Sequence, residues 1–350
     1  MKDSKSGLNE KKTMDRRSFF KKMIAGAGLV GMAGSLAGCL QQSPEQAGGQ
    51  GWLPYQYNVA GNLPAQVRGR VPIDADNPSI VRDDQKCILC GQCLEVCENI
   101  ESVYGYYSLP VIDETICVNC GQCSMACPSG AISERDDTKK VFEVLEDPDK
   151  FVLVQTAPAT RVALGEEFGL PVGTWVEGKQ VAALRRLGFD AVLDTNFSAD
   201  LTIMEEATEL VKRITGEVKK PLPQFTSCSP GWVKFCEYFY PELIPNLSTC
   251  KSPQQMFGAL AKTYYAKKRG IDPNKIVSVS IMPCTAKKFE AQRPEMNDSA
   301  KYWKTDNMRD VDIVLTTREL ARMLKAKNID LPSLPDENYD SIMGEDTGAA

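Results

Sequence analysis

Two cysteine-rich stretches dominate the sequence: Cys87-Ile-Leu-Cys-Gly-Gln-Cys-Leu-Glu-Val-Cys97 and Cys117-Val-Asn-Cys-Gly-Gln-Cys-Ser-Met-Ala-Cys-Pro128. Each stretch separates its four cysteines by two, two and three residues, and both contain Cys-Gly-Gln-Cys, so they form an internal repeat. Gaps of two residues let the backbone curl around a common centre, with thiolates directed inward and amide N–H groups turned toward the sulfurs. The spacing therefore predicts that these cysteines bind metal rather than form disulfides.

This spacing is typical of two 4Fe–4S clusters, in which the fourth cysteine of each run ligates the cluster of the other run. One cluster is predicted on Cys87, Cys90, Cys93 and Cys127. The other is predicted on Cys117, Cys120, Cys123 and Cys97. Structural zinc is the alternative, because Cys-x2-Cys pairs also build zinc ribbons, but two complete runs of equal spacing favour clusters. Glu98 follows the first run where Pro128 follows the second, which loosens a turn and removes no ligand.

Composition narrows the class of protein. With 41 basic and 46 acidic residues, the 350-residue chain has a formal net charge of −5, so it offers no electrostatic support for nucleic-acid binding. The sequence contains no histidine. Histidine-ligated metals and nucleophiles activated by histidine are therefore excluded.

The N-terminus has the pattern of an export signal. Arg16-Arg17 precede a short apolar stretch at residues 23–37, which is too short for a membrane span of about 20 residues. Leu36-Ala-Gly-Cys39 resembles the lipidation site of bacterial lipoproteins. We therefore expect a twin-arginine signal peptide at residues 1–38, a lipidated Cys39 and a tether at 39–78. The chain would be anchored on the outer face of the cytoplasmic membrane, whereas the alternative is an amphipathic or membrane-anchoring N-terminal helix.

After about residue 148 strands alternate with helices. Apolar runs predict strands, and apolar residues at helical spacing predict helices. The predicted strands are 151–157, 191–194, 276–282 and 311–315, and the predicted helices are 181–187, 201–214, 252–269 and 318–327. Ser198 or Asp200 is the expected cap of the second helix. This alternation predicts an α/β layer with a mostly parallel sheet.

Three short motifs lie at predicted strand ends, where parallel sheets build their sites. They are Thr-Ala-Pro-Ala at 156–159, Thr-Ser-Cys-Ser-Pro-Gly-Trp at 226–232, and Met-Pro-Cys-Thr-Ala-Lys-Lys-Phe-Glu at 282–290. The alternative is that they are ordinary turns with chance buried thiols. We favour that alternative for Cys236 and Cys250, which have no motif around them.

The last two motifs, with residues 200–209 and 251–258, resemble the large subunit of the iron-only (FeFe) hydrogenases from about residue 80 to 350. The resemblance implies an α+β ferredoxin-like module with two 4Fe–4S clusters at 79–140, followed by an α/β hydrogenase catalytic domain, incomplete, at 148–350. It also implies reversible conversion of H2 into protons and electrons at an H-cluster, a 4Fe–4S cubane bridged to a di-iron subsite. A cytochrome or ferredoxin would exchange the electrons, hydrogen uptake is the expected direction, and a small subunit is a further expected partner.

The resemblance also assigns site residues. Cys284 matches a cubane ligand, and Lys287 matches the lysine that hydrogen-bonds a cyanide of the di-iron subsite. Ala157, Pro158 and Pro283 match residues that line the cluster pocket.

The family relays protons through a thiol, a glutamate, a serine and a second glutamate. The matching residues here are, in that order, Cys228, Glu206, Ser248 and Glu209. The two glutamates are three residues apart and therefore share one helix face. From the residues alone a solvated pair would be the default, and the resemblance reverses that preference.

Two departures from the family stand out. Ser229 occupies the position of a cubane cysteine, so either Cys228 becomes the ligand or the cubane is weakly held. The family also continues past the position of Ala350, with a motif that carries the last two cluster cysteines. We therefore expect a fragment, a split gene or a decayed copy, with a fragment favoured. The rival function is a non-enzymatic electron carrier or redox sensor.

Overall fold

A computed structural model describes residues 69–105, 115–345 and 347–348. The predicted signal peptide at 1–38, Cys39 and most of the predicted tether lie outside the described residues. Gly69–Ala350 form one compact unit. In the described segments, no helix combines the length and the apolar character needed to cross a membrane.

The cysteine runs lie in a small region that contains one two-stranded antiparallel sheet and two short helices. Strands β1 (Ile80–Arg82) and β2 (Ile132–Glu134) pair antiparallel, with Val81 opposite Ser133. Helix α1 (Gln92–Glu95) continues into a π-helical turn at Val96–Ile100, and helix α2 (Gln122–Met125) is its counterpart in the second run.

The described part of the predicted tether, residues 69–78, packs against the cysteine loops. Gly69 forms a parallel bridge with Cys90, and the backbone N–H of Val71 donates to Cys93 Sγ at 3.3 Å. Val71 is buried at 4% exposure. Residues 69–78 therefore contact the cysteine loops instead of serving as a free spacer, because those loops need apolar cover and N–H donors.

The larger part of the unit is built on a parallel four-stranded sheet in the order β4-β3-β5-β6. Its strands are β3 (Phe151–Thr156), β4 (Ala191–Asp194), β5 (Ile276–Met282) and β6 (Ile313–Thr316). The longer helices around it are α3 (Thr138–Leu145), α5 (Glu177–Leu187), α6 (Asn196–Thr215), α7 (Pro230–Phe239), α8 (Pro253–Leu260), α10 (Ala286–Gln292) and α12 (Thr317–Ala326). Short helices are α4 (Thr160–Ala163), α9 (Ala266–Arg269) and α11 (Asp298–Trp303).

Apolar layers cover both faces of the sheet. Val152 and Val154 of β3 belong to one buried cluster, whereas Leu153 between them belongs to another, with Phe257 and Tyr265. Alternate strand residues point to opposite faces, so an unbroken apolar run is what a sheet buried on both sides requires. The predicted parallel α/β layer is therefore observed, and the strand ends are held in a rigid frame.

Two local expectations were wrong. Helix α6 begins at Asn196 with Thr195 as its cap, so Ser198 lies inside the helix rather than capping it. Its hydroxyl instead donates to the carbonyls of Thr195 at 2.8 Å and Pro253 at 2.7 Å. The motif at 226–232 also does not follow a strand of the sheet, because Phe225 makes only an isolated bridge to Leu247.

Candidate functional site

The eight cysteines of the two runs surround two separate cavities. One cavity is lined by Cys97, Cys117, Cys120 and Cys123. The other is lined by Cys87, Cys90, Cys93 and Cys127. The structure therefore brings together the same two groups of four that the spacing predicted, each drawing one thiol from the opposite run.

The backbone of the repeat explains how the thiols are presented. Leu89 and Asn119 occupy equivalent positions and have φ of 55° and 61°, and Gly91 and Gly121 follow with φ of 77° in both runs. Left-handed residues at these points turn each loop sharply, so the thiols on either side face the same cavity.

Hydrogen-bond donors lower the pKa of these thiols, whereas burial raises it. The N–H of Asn119 donates to Cys117 Sγ at 3.4 Å. Burial raises the pKa of Cys97 and of Cys120 to about 11. At Cys127 burial also acts upward, but backbone N–H groups such as that of Ile132 outweigh it and lower the pKa. Thiols with a raised pKa need a bound cation to stay ionised, which suits ligation.

The arrangement of the thiols fits a cubane. Four cysteines line each cavity, which is the number of thiolates that a 4Fe–4S cluster takes. Within the ranges that the structure describes, no three Cys, Asp or Glu side chains converge closely enough to hold a single metal ion.

The three catalytic motifs meet at the carboxyl end of β5. Cys284 follows this strand directly, and Lys287, in the first turn of α10, donates through Nζ to the carbonyl of Cys228 at 2.7 Å. The N–H of Ala157 donates to the carbonyl of Ile281 at 3.0 Å, which places the end of β3 beside β5. Ala157 is buried, whereas Pro158 and Pro283 are exposed and Cys284 is half-buried. The predicted pocket residues thus share one edge of the sheet.

Lys287 is held by a buried acid. Its Nζ lies 3.1 Å from Glu290 Oε2, and the Glu290 side chain is only 4% exposed. Glu290 Oε2 also accepts from Ser252 Oγ at 2.8 Å and from Gln254 Nε2 at 3.0 Å. This network fixes the lysine charge beside the Cys228 loop.

Two members of the predicted proton path are in contact. Ser248 Oγ donates to Glu209 Oε2 at 3.3 Å, and Thr249 Oγ1 donates to the same oxygen at 2.8 Å. Burial acts to raise the pKa of Glu209, but the hydrogen bond from Arg213 and those from Thr249 outweigh it and lower the pKa to about 2. Glu209 is therefore ionised at neutral pH and is not a free, solvated acid.

The other two members are not linked to this pair by hydrogen bonds. Across the described residues, the Glu206 side chain makes no hydrogen bond to Ser248 or Cys228, and Cys228 and Ser229 are both exposed at the start of α7. The thiol beside Ser248 is Cys250, whose N–H donates to Ser248 Oγ at 3.1 Å. Ser248 and Cys250 both line a cavity of about 500 Å³.

The sequence did not predict the contacts of three residues that hold these segments in place. Arg213 stands four residues after Glu209, and this ion-pair spacing could have revealed it. Lys288 is buried at 3% exposure beside Lys287. Adjacent helical residues point about 100° apart, so one lysine of the pair had to face inward. The hydrogen bond from Thr285 Oγ1 to the carbonyl of Asn119, 2.7 Å long, had no local signal.

Comparison with known families identifies the larger part of the chain. The family described as iron only hydrogenase large subunit, C-terminal domain, matches residues 150–350. The chain belongs to the iron-only hydrogenase family. A 4Fe–4S binding domain also matches residues 110–133, which include the second cysteine run.

Hydrogenases are also among the similar individual proteins. The NADP-reducing hydrogenase subunit HndD of Solidesulfovibrio fructosivorans is 50% identical over 78% of this chain and 48% of its own length. The periplasmic Fe hydrogenase large subunit of Nitratidesulfovibrio vulgaris is 49% identical over 77% of this chain and 62% of its own length. A variant of the FeFe-hydrogenase HydA1 from Chlamydomonas reinhardtii has a TM-score of 0.55 and 45% identity, covering 60% of this chain and 52% of that one. The chain therefore spans about half the length of these hydrogenases.

The iron-only hydrogenase family also has relatives with another named role. The cytosolic iron-sulfur assembly component 3 of Pongo abelii is 34% identical over 59% of this chain and 44% of its own length. Family membership therefore does not by itself distinguish hydrogen chemistry from a role in cluster assembly.

Cys284, Lys287 and the two prolines lie at one edge of the sheet, and Lys287 Nζ contacts the carbonyl of Cys228. Cys236 is fully buried in α7, where its Sγ donates to the carbonyl of Tyr240 at 3.4 Å, so it is a core thiol. In the part of the chain that the structure describes, the thiols therefore fit the family's cubane only in part.

Proposed function

We propose that this chain is the large subunit of an FeFe-hydrogenase that interconverts H2 with two protons and two electrons. The observation that carries the proposal is the convergence of the three motifs, in which Lys287 on one motif donates to the Cys228 carbonyl of another. An H-cluster bound there would supply the iron chemistry that breaks or forms the H–H bond. Cys284 would be one of its ligands.

The Lys287 ammonium group is a positive charge held in a fixed place in the proposed site. Its partner Glu290 is almost fully buried, so the ammonium cannot swing into solvent without leaving a buried carboxylate unpaired. The lysine therefore presents donors at a fixed point beside Cys228, where an anionic ligand such as cyanide would lie. Ala157, Pro158 and Pro283 would form the rigid wall of this pocket.

Protons would leave by way of Cys228, Glu206, Ser248 and Glu209. Because the pKa of Glu209 is held near 2, this carboxylate orients the Ser248 hydroxyl and does not store a proton at neutral pH. The exchangeable proton at this end of the path is therefore carried by Ser248, in contact with the cavity of about 500 Å³.

Electrons would pass through two 4Fe–4S clusters held by the two cysteine groups. A cytochrome or ferredoxin is the expected acceptor and a small subunit a further partner, in line with the large-subunit name of the periplasmic relative. We also propose that the reaction runs in the direction of hydrogen uptake. The protein would be exported and anchored by a lipid on Cys39, and its signal peptide, tether and domains would have the bounds predicted from the sequence.

The second candidate is a non-enzymatic iron–sulfur protein, either an electron carrier, a sensor or an assembly factor. Ser229 favours it, because a serine hydroxyl is a far weaker iron ligand than a thiolate, and so do the assembly-factor relatives.

Infrared spectroscopy on protein produced with the hydrogenase maturation machinery separates the two. Cyanide and carbonyl stretches, together with hydrogen-dependent viologen reduction, are expected for the hydrogenase. About eight irons per chain without those stretches would instead indicate only the two cysteine-run clusters. Lys287→Met is expected to abolish dye reduction, whereas Lys301→Met, at an exposed ion pair, is not.

A further inference from the structure

The loop of the second cysteine run and the Cys284 motif are joined by a buried hydrogen bond. Thr285 follows Cys284, and its hydroxyl donates to the carbonyl of Asn119 at 2.7 Å. Thr285 is 6% exposed and Asn119 1%. The two residues are 166 positions apart, so this contact connects the two ligand-bearing segments directly.

Asn119 is itself in contact with a cluster thiol. It lies between Cys117 and Cys120, and its N–H donates to Cys117 Sγ at 3.4 Å. A continuous path therefore runs from the Cys117 sulfur through the Asn119 peptide and the Thr285 hydroxyl to the backbone beside Cys284.

The approach is close enough to constrain the sequence. A Cβ added to Gly121 would lie 2.5 Å from Thr285 Oγ1, and Gly121 also has φ of +77°. On the neighbouring motif, a Cβ at Gly231 would lie 3.6 Å from the carbonyl of Val118, in the same cysteine loop. The Thr285 side chain therefore leaves no room for a Cβ at Gly121, whereas a Cβ at Gly231 would make an ordinary van der Waals contact with the loop.

A second contact fixes the same helix one turn later. Lys288 of α10 lies 2.6 Å from Asp137 and 2.9 Å from Glu319, and it donates to the carbonyl of Val314 at 2.8 Å. Asp137 lies near the end of the predicted cysteine module, just before α3, whereas Glu319 belongs to α12. The first turn of α10 is thus tied to both parts of the protein.

We propose that Thr285 is a positioning residue whose hydroxyl keeps the Asn119 loop in contact with the Cys284 loop for electron transfer. The proposal rests on the proposed hydrogenase function. Each H2 oxidised releases two protons and two electrons, and the electrons would leave one at a time to two molecules of oxidised viologen. The Thr285 contact would matter for this outward step and much less for the splitting of H2.

Thr285→Val removes the hydroxyl and keeps the shape, and Thr285→Ser restores the donor. Two activities are compared in the full chain with its clusters assembled. Hydrogen–deuterium exchange between gas and water needs no net electron flow, whereas hydrogen-dependent viologen reduction does. The ratio of dye reduction to isotope exchange is expected to fall several-fold in Thr285→Val and to recover in Thr285→Ser.

A readout without turnover is backbone amide exchange of peptides from residues 117–125, measured by mass spectrometry. It is expected to accelerate in Thr285→Val but not in Thr285→Ser. Gly121→Ala perturbs the same contact from the other side and should act like Thr285→Val. Gly130→Ala is the matched control, since Gly130 has φ of +62° and nothing within 4 Å of an added Cβ.

An unchanged activity ratio in Thr285→Val, or a fall that Thr285→Ser does not reverse, would overturn the proposal. Absence of isotope exchange in the unmodified protein would instead overturn the hydrogenase function. In that case the amide exchange at 117–125 still tests the contact between Thr285 and Asn119. Unchanged protection in Thr285→Val would show that the hydroxyl does not hold the loop.

Discussion

Replacement of Lys288 by methionine should destabilise the protein strongly. The Lys288 side chain is 2% exposed and contacts two acids, of which Glu319 is fully buried. Removing one partner of a buried ion pair costs about 3–5 kcal/mol because the other charge is left uncompensated. Asp137 retains Lys140 at 2.6 Å, and Glu319 retains the N–H groups of Asp137 and Thr316. We therefore expect the lower end, about 3 kcal/mol, which corresponds to a fall in Tm of about 5 °C for the compact unit Gly69–Ala350.

The loss should depend on pH. Burial raises the pKa of Glu319 while Lys288 opposes the rise, so the pKa should increase further in Lys288→Met. A carboxyl whose folded pKa lies above its unfolded value stabilises the fold when protonated, and this contribution is lost as pH rises through the folded pKa. The Tm difference between Lys288→Met and the unmodified protein should therefore be larger at pH 8 than at pH 5.5.

Thermal unfolding by circular dichroism under anaerobic conditions measures both effects. Lys139→Met is the control, because Lys139 is 89% exposed and 3.7 Å from Glu143. This substitution should lower the free energy of unfolding by less than about 0.5 kcal/mol. If Lys288→Met lowers Tm no more than the control, or by the same amount at both pH values, the reasoning about an uncompensated buried acid is refuted.

Two further predictions concern the thiols and Glu209. Protein made without the maturation machinery tests the cluster assignment by its iron content. If Cys97 and Cys120 hold the same cluster, then Cys97→Ala, Cys120→Ala and the double variant should each lose about four of the roughly eight irons that the two cysteine runs hold, whereas a double variant that loses all of these eight would assign them to different clusters. Glu209→Gln should remove about 2 kcal/mol of stability at neutral pH, because the folded pKa near 2 lies below the ordinary value of 4.5 and solvent screening reduces the roughly 3 kcal/mol that the full difference would give. This contribution should disappear as pH falls from 4.5 to 2. Chemical denaturation across that range measures it, with the exposed Glu205→Gln as control, and an equal loss in both variants would contradict the ion-pair account.

The predictable parts of the fold are those that local patterns determine. The apolar run at 151–157 became β3, one residue shorter than predicted, and Ala191–Asp194 became β4 at the predicted bounds, because buried parallel strands leave a continuous apolar signature. The grouping of the cysteines around two cavities also followed from spacing, since two-residue gaps permit few backbone paths.

The junction between the cysteine loop and the catalytic motifs was not predictable. Thr285 and Asn119 are ordinary polar residues in sequence, and their hydrogen bond depends on how two segments far apart in the chain come together. Lys288 likewise differs from Lys287 only in the face of α10 that it occupies. Glu209 was chosen as a path residue by resemblance and stays a prediction, and its low pKa, which arises from Arg213 and Thr249 on two different elements, had no signal in that resemblance.

The crossing of the cysteines between the two cavities has a consequence for biosynthesis. The cavity of Cys87, Cys90 and Cys93 stays open on one side until Cys127 has emerged from the ribosome, whereas the other cavity is complete once Cys123 is made. The half of the module that is translated first is thus the last whose cavity can close. A nascent chain paused between the two runs would leave all four thiols of the first run exposed to oxidation, and rapid synthesis through residues 97–127 would limit that damage.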